Sequence, residues 1–340
     1  MTTPHSHNAM IGALVADALA MPVHWYYDTA ALDRDYPKLD TFQAPRNPHP
    51  DSILWRSRYT PHNARGDILH DQAQYWGQRE VHYHQFLAAG ENTLNFKLAS
   101  ELYQSILARG HYDADAWLQQ YATCMLTAGW HRDTYAEEYH RAFFDHYAHG
   151  QPLTACGIDD RHIGGLSQIP SLLAALGQIV CHALETQLAL VEQHIRLTHR
   201  NDDVVAAGST LCRILHSLSQ GQSLRYAVTL HAKAYTKPGQ FDTWSNFPDR
   251  AVVGRHLSTA CYLPEAFTAS LYLSWKYDDN FNQGIIANAL CGGDNCHRGA
   301  VVGALLGAAN PIAPRWIEGM HALPSLPAML NVHSEMSESM

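Results

Sequence analysis

Apolar residues recur at helical spacing along most of this 340-residue chain. The segment ENTLNFKLASELYQSILARG repeats an apolar residue at every fourth position and ends at Gly110; the repeated residues are Leu94, Leu98, Leu102 and Ile106. The same period returns in ETQLALVEQHIRLTH and DVVAAGSTLCRILHSL, and further helices are predicted in AFTASLYLSWKY and NQGIIANALCGG. Each apolar face must be buried against another element. No strand series, heptad pattern or internal repeat is found, so the sequence predicts an all-α fold.

The last predicted helix, DNCHRGAVVGALLGAA, carries a stripe of glycines at Gly299, Gly303 and Gly307. Glycine lowers helix propensity, so the stripe predicts that the helix backbone packs closely against a neighbouring helix. The first helix has a similar small face at Ala13 and Ala16.

Composition limits the class of protein. Apolar residues make up 46% and charged residues 16% of the chain, which is typical of a globular protein. The net charge of -9 provides no basic field for collecting phosphates, so nucleic acid is not expected as a general partner. No segment approaches the roughly 20 apolar residues of a membrane helix. Seven dispersed cysteines without a CxxC pair, and an N-terminus without the features of a signal peptide, predict a soluble cytoplasmic protein.

We expect one domain over residues 1–340, with a long irregular insertion at about residues 28–84. The stretch PKLDTFQAPRNPHPDSILW is rich in proline and polar residues. A loop of this length in a compact domain is usually functional or mobile.

Five polar clusters are candidates for function. They are Asp17 with His24, the run Glu91–Thr93 at a predicted helix start, WHRDTYAEEYHR, GIDDRHIGG, and Asp294 with Cys296 and His297. Taken singly, an acid at a helix N-terminus is explained by capping. The chain also contains 23 histidines, most of which we expect at the surface.

The order of several motifs resembles the ADP-ribosylglycohydrolase family, which includes the dinitrogenase-reductase-activating glycohydrolases and the J1 crystallins. The motifs are IGALVADALAMP, GENTLNFKLASEL, LTHRNDDVVAAGSTL and GGDNCHRGAVVGALLGA, and they span about residues 11–307. The resemblance implies a compact all-α fold, a cleft holding two Mg²⁺ ions, and hydrolysis of the N- or O-glycosidic bond that joins ADP-ribose to a side chain.

The chain departs from the family motifs at the metal ligands. Family members typically read T/S-D-D-T where this chain has Gly90–Glu91–Asn92–Thr93, and G-G-D-T-D-T where it has Gly292–Gly293–Asp294–Asn295–Cys296–His297. The usual glutamate after the first helix corresponds to His24. Mg²⁺ prefers oxygen ligands, whereas thiolates and imidazoles suit zinc, iron or copper.

Three interpretations follow. In the first, Glu91, Asp294, Cys296, His297 and His24 hold a single softer ion that activates water. In the second, no metal binds and two carboxylates share the catalysis. In the third, the chain keeps the fold but acts as a non-catalytic protein of the J1-crystallin kind, in a ligand-binding or structural role.

We predict a hydrolase that cleaves a glycosidic bond to ADP-ribose or a related ribosyl nucleotide, in a small-molecule or ADP-ribosylated substrate. The predicted catalytic residues are Glu91 and Asp294, with Asp17, Asp133 and Asp160 as further candidates. The predicted substrate contacts are Asp17, Asn92, Thr93, Gly164, Gly165, Gly292 and Gly293, in a pocket lined by GIDDRHIGG. Cys296 and His297 do not suit a nucleophile–base pair, because adjacent helical residues point about 100° apart.

Overall fold

The computed structural model describes residues 4–180 and 182–322. Its α-helices are α1 (Pro4–Ala20), α2 (Thr29–Asp35), α3 (Leu94–Arg109), α4 (Ala114–Leu126), α5 (Glu138–Ala148), α6 (Ile169–Ile179), α7 (Leu184–Arg196), α8 (Asp202–Ser219), α9 (Leu224–His231), α10 (Gln240–Trp244), α11 (Asp249–Val252), α12 (Glu265–Lys276), α13 (Phe281–Leu290), α14 (Asn295–Ala309) and α15 (Pro314–Glu318). Short 3₁₀ helices are Met21–Val23, Leu54–Arg56, His70–Tyr75, Leu153–Ala155 and Ile163–Leu166.

The described residues contain no β-strand and only three isolated bridges, Ile158 with His199, His162 with Tyr262, and Val253 with Leu257. The all-α prediction is therefore confirmed. None of the helices in residues 4–180 and 182–322 has the length and apolarity needed to cross a membrane.

Helices α1 and α14 cross closely at the centre of the molecule. A Cβ atom on Gly303 would lie 2.1 Å from the backbone oxygen of Gly12, and one on Gly307 would lie 2.4 Å from the backbone oxygen of Asn8. The glycine stripe thus lets the two backbones touch, as the sequence predicted. Helices α6, α8, α12 and α13 pack around this pair, which fixes the end of α1 beside the start of α14.

Helix α3 begins later than the sequence predicted. Its first residue is Leu94, so Glu91, Asn92 and Thr93 precede the helix instead of forming its first turn. The side chain of Asp17 accepts hydrogen bonds from the Asn92 Nδ2, the Thr93 backbone N–H and the Thr93 hydroxyl. These bonds hold the segment extended against α1. The predicted end is confirmed, since Gly110 caps α3 in the left-handed conformation.

Residues 28–84 contain α2 and two 3₁₀ helices and are otherwise irregular. Buried histidines tie this segment to the chain after α1. His49 Nε2 lies 2.9 Å from the backbone oxygen of His24, and His82 Nε2 lies 3.0 Å from that of Pro22. Both imidazoles donate to the backbone carbonyls of buried residues, which need a hydrogen-bond donor once they are removed from water. The segment is thereby fixed in place, and it positions His84 beside His24.

Candidate active site

Asp294 lies where a tight turn brings three distant segments together. Gly292 and Gly293 before it have φ angles of +67° and +64°, and a Cβ at either position would lie within 2.3 Å of the backbone oxygen of Tyr26 or Thr259. Only glycine tolerates both the conformation and the close approach. Asp294 follows at the N-cap position of α14, yet its side chain makes no capping hydrogen bond. The carboxylate is therefore available to other partners.

The Asp294 carboxylate is held by two imidazoles on one oxygen. Its Oδ1 lies 2.9 Å from His24 Nε2 and 2.6 Å from His297 Nδ1. Its Oδ2 has no hydrogen-bond partner among the described residues and lies 3.7 Å from His162 Nε2. Burial alone raises the pKa of Asp294, but the positive charge of His297 and the hydrogen bonds from His24 and His297 outweigh it and hold the pKa well below its usual range. The buried group is an anion with one free oxygen.

His297 links Asp294 to a second buried carboxylate, Glu137. The His297 Nε2 lies 3.3 Å from Glu137 Oε1 and 3.0 Å from Asn95 Nδ2. Although burial opposes a charged ring, the two carboxylates raise the pKa of His297 to about 10. Burial likewise raises the pKa of Glu137. The hydrogen bond and charge of His297, followed by the charge of His140, have the larger effect, so the pKa of Glu137 lies below its usual value. Glu137 Oε2 has no hydrogen-bond partner in the described structure.

A second histidine chain approaches Asp294 from the other side. His24 Nδ1 lies 2.7 Å from His84 Nε2, and His84 Nδ1 lies 2.7 Å from Asp133 Oδ1. The His24 and His84 rings are stacked nearly parallel, and Trp25 stacks on His24. All four polar groups of the series Asp133–His84–His24–Asp294 are buried.

A cleft of about 300 Å³ opens beside these groups. Its wall combines aromatic rings, three acids and one cation; the residues are Trp25, Tyr27, Ile53, Arg56, Tyr83, Tyr135, Glu137, Glu138, Asp160, His162, Ala260, Cys261 and Tyr262. Aromatic walls with a few charged groups are typical of sites for small organic ligands. Since His162 and Cys261 line the cleft and both lie within 4.8 Å of an Asp294 oxygen, that carboxylate is adjacent to any ligand bound there.

Among the described residues, two groups of side chains are close enough together to hold a metal ion. One is His24, Asp294 and His297, and the other is His162, Cys261 and Asp294. In the first group, the ring nitrogens that face Asp294 already donate to its Oδ1. In the second, His162 Nδ1 accepts the Gly164 backbone N–H at 2.8 Å. A neutral His162 therefore carries its proton on Nε2, the nitrogen that would have to bind the ion.

The oxygen ligands expected for two Mg²⁺ ions are not assembled. Both oxygens of Asp17 accept hydrogen bonds from Asn92 and Thr93, and the groups around Asp294 are imidazoles and a thiol. This donor set does not fit a dinuclear magnesium centre. The contacts around Asp294 fit an ionised carboxylate hydrogen-bonded to histidines better than they fit a dinuclear magnesium site or a site for one softer ion.

Two of the predicted metal ligands lie outside both groups. Glu91 accepts a hydrogen bond from the Ala88 backbone N–H at 2.9 Å and pairs with Arg132 at 2.5 Å. The Cys296 thiol is fully buried and faces the backbone oxygen of Asp17 at 3.8 Å, and burial raises its pKa well above the usual range. The structure brings His24, Asp294 and His297 together but not Glu91 or Cys296.

None of the predicted substrate contacts is among the residues that line this cleft. Asp17, Asn92 and Thr93 are buried and bonded to one another, and they do not line the cleft. Gly164 and Gly165 pack against Tyr139 and His199. The segment GIDDRHIGG does reach the cleft, through Asp160 and His162.

Several site residues were missed because they come from loops without helical periodicity. Glu137 and Tyr135 lie in WHRDTYAEEYHR, which the sequence marked as polar without distinguishing them, and His84 follows the proline-rich segment. The signal available was the density of histidines. Contrary to expectation, eleven of those described are buried; they are His7, His24, His49, His82, His84, His131, His140, His162, His194, His199 and His297.

Comparisons with known proteins agree with the fold. A family model described as ADP-ribosylglycohydrolase matches residues 5–338. A solved structure named "ADP-ribosylglycohydrolase-related protein complex" is similar, with a TM-score of 0.58 and 20% sequence identity, over 97% of this chain and 97% of that chain. At this identity the likeness concerns the fold alone. The comparison with curated proteins found no match.

Proposed function

The chain belongs to the ADP-ribosylglycohydrolase family, and on this premise we propose that it hydrolyses the glycosidic bond of an ADP-ribosyl group, or of a related ribosyl nucleotide, in the cleft beside Asp294. The observation that carries the proposal is a pair of buried carboxylates, Asp294 and Glu137, each with one oxygen that has no partner in the described structure. An imidazole separates them. Glycoside hydrolysis commonly uses two carboxylates on either side of the reacting carbon.

Both carboxylates are ionised, because the pKa values of Asp294 and Glu137 are lowered by His297 despite burial. Two anions stabilise the positive charge that develops on the ribose carbon in the transition state. Neither, however, holds a proton for the leaving group. The site therefore favours a leaving group that already carries its proton, such as the guanidinium of an ADP-ribosylated arginine.

The charge of the cleft supports this substrate class. Glu137, Glu138 and Asp160 line it together with a single cation, Arg56. The acids suit a cationic leaving group, and the aromatic rings Trp25, Tyr83 and Tyr135 suit the base or ribose of a nucleotide.

The reaction balances without a metal ion. The bond from the ribose carbon to the guanidinium nitrogen breaks, the electron pair stays on that nitrogen, and neutral guanidine leaves. A water oxygen bonds to the ribose carbon, and its proton passes to Asp294 Oδ2. His162 Nε2 lies 3.7 Å from that oxygen and supplies an N–H donor, so the two groups can orient one water molecule or ribose hydroxyl.

The test compares Glu137, which lines the cleft, with Glu91, which occupies the motif position but pairs with Arg132 outside the cleft. Glu137→Gln should lower kcat/KM on an ADP-ribosyl-arginine peptide by about 100-fold or more, because it removes a carboxylate from the reacting site. Glu91→Gln, which changes the ion pair with Arg132 outside the cleft, should lower it by less than about 10-fold. Release of free ADP-ribose measures both.

An equal loss in both variants would overturn the assignment of Glu137. Binding of ADP-ribose to the wild type without turnover of any ADP-ribosyl peptide would favour the non-catalytic role. A cytoplasmic location is part of the proposal and rests on the unpaired thiols of the six described cysteines.

A further inference from the structure

A second pocket adjoins the cleft on the side of the long irregular segment. It measures about 250 Å³ and is lined by residues 58–61, Gly66 and the first two turns of α5; we call it the side groove. Glu138 lines both the cleft and the side groove. Arg56 lines the cleft, and Arg58, two residues along the chain, lines the side groove. A ligand that fills the cleft can therefore extend into the side groove.

Two arginines line the side groove, Arg58 and Arg141. The Arg141 Nε donates to the Ala136 backbone oxygen at 3.0 Å, and its Nη2 lies 3.5 Å from the Tyr135 hydroxyl. Its guanidinium also lies over the rings of Trp76 and Tyr135, 5.2 and 5.6 Å from their centroids. Among the described residues, neither arginine forms an ion pair with a carboxylate. Both cations are therefore available to an anionic ligand.

Packing holds the Arg141 guanidinium in place before a ligand binds. The rings of Trp76 and Tyr135 beneath it are stacked, with centroids 5.3 Å apart, and Trp76 Nε1 donates to the Thr134 backbone oxygen at 2.8 Å. In the described structure Arg141 Nη1 has no hydrogen-bond partner, and neither has the exposed side chain of Arg58. A guanidinium fixed in this way loses little conformational freedom when it binds an anion, and its fork of N–H donors matches phosphate oxygens.

The acids of the two pockets are distributed unevenly. The cleft contains Glu137, Glu138 and Asp160 with one cation. The side groove contains Arg58 and Arg141 with Glu138, at the boundary with the cleft, and Asp145. Asp145 Oδ1 already lies 3.5 Å from His149 Nδ1. Because like charges repel, a phosphate group is disfavoured beside the acids of the cleft and is favoured beside the two arginines.

We propose that the side groove binds the diphosphate of the substrate, with Arg58 and Arg141 donating to its oxygens and Arg56 at the junction with the cleft. The inference rests on the proposed function and narrows it, because the substrate must carry a diphosphate beside the reacting ribose. A ribosylated arginine without that group should bind weakly. The two arginines determine specificity, and both lie outside the four motifs that resemble the family.

Calorimetric titration with ADP and with adenosine tests the side groove without any turnover. The wild type should bind ADP at least about 10-fold more tightly than adenosine. Arg58→Gln should weaken ADP binding by about 10-fold or more, because it removes a charge-assisted hydrogen bond, and should leave adenosine binding unchanged. Arg213→Gln, which changes an exposed arginine of α8, should alter neither. Absence of ADP binding by the wild type, or equal ADP affinity in Arg58→Gln, would overturn the proposal.

Arg141 requires a second variant, because glutamine also removes the contacts with Trp76 and Tyr135. Arg141→Lys keeps the charge but loses the fork of donors, so its ADP affinity should lie between those of the wild type and Arg141→Gln. ADP affinity in both variants equal to that of the wild type would overturn the role of Arg141. If Arg141→Gln does not fold, Arg58→Gln and Arg141→Lys decide the outcome.

Turnover separates this inference from the proposed function. The Arg58→Gln variant should raise KM for an ADP-ribosyl-arginine peptide by about 10-fold and change kcat by less than about 3-fold, because the diphosphate is held equally in the ground state and the transition state. An unchanged KM would overturn the role of the side groove. If Arg58→Gln weakens ADP binding but the wild type hydrolyses no ADP-ribosyl peptide, the side groove stands and the proposed function fails.

Discussion

Asp294 lies at the N-cap position of α14 but makes no capping hydrogen bond. This orientation of its side chain explains much of the geometry of the site. The side chain turns instead toward His24 and His297, which donate to the same oxygen. A cap to the helix N–H groups would have turned the carboxylate away from these two imidazoles. Asp294 therefore binds the imidazoles of the site instead of capping the helix N-terminus.

Asp294→Asn should destabilise the fold as well as the activity. The substitution leaves the buried His297 with one carboxylate instead of two, and breaking a buried ion pair costs about 3 kcal/mol or more. The free energy of unfolding, from denaturant titration, measures it. Asp33→Asn is the matched control, because the Asp33–Arg250 pair is exposed and such pairs contribute about 1 kcal/mol or less. A loss below about 1 kcal/mol in Asp294→Asn would contradict the buried pairing described here.

The sequence could identify Asp294, His24 and His297 because each adjoins a recognisable helix motif. It could not identify Glu137 or His84, since both lie in loops whose position depends on tertiary contacts such as the His82 bond to Pro22. Glu91 occupies the motif position of a family carboxylate, but its longer side chain pairs with Arg132 at the surface of a different pocket. Motif position therefore predicted the neighbourhood of the site better than its chemistry.

Among the elements, the α1–α14 pair was the most predictable. Four-residue spacing of glycine on α14 and small residues on α1 pointed to close contact, and the structure shows backbone against backbone there. The start of α3 was less predictable, because a tertiary hydrogen-bond network around Asp17 overrides the helical tendency of Glu91–Thr93.

Gly303→Ala should be strongly destabilising. The new methyl group would lie 2.1 Å from the Gly12 backbone oxygen, so one of the two central helices must shift, at a cost of about 3 kcal/mol. Gly177→Ala in α6 is the control, since its nearest neighbour is the Ser6 hydroxyl at 3.2 Å and alanine gains up to about 1 kcal/mol of helix propensity. Thermal unfolding of both variants tests the contrast. Equal melting temperatures would show that the helices can separate without cost.

Eleven of the described histidines are buried, and this links stability to pH. Burial lowers the pKa of eight of them below the usual value of 6.5; they are His24, His49, His82, His131, His140, His162, His194 and His199. In the unfolded chain these groups gain protons as the pH falls below about 6.5, whereas in the folded chain they stay neutral. The unfolded state is therefore favoured by acid.

The melting temperature should consequently fall steeply between pH 6.5 and 5. Each histidine that protonates only on unfolding contributes up to about 1.4 kcal/mol per pH unit. His297 acts in the opposite direction, because its pKa is raised to about 10; its contribution is complete below pH 6.5 and is lost as the pH rises toward 10. Scanning calorimetry from pH 5 to 10 should show a stability maximum near neutrality. A melting temperature that stays constant from pH 7 to 5 would contradict this account.

The most direct test of the central claim is the turnover of an ADP-ribosyl-arginine peptide by the wild-type protein in excess EDTA, followed as free ADP-ribose. Because Asp294 is hydrogen-bonded to His24 and His297, which stand where the family motifs have oxygen ligands, we predict the same rate with EDTA as with added Mg²⁺ or Zn²⁺. Activity that disappears in EDTA and returns with either metal would contradict the account.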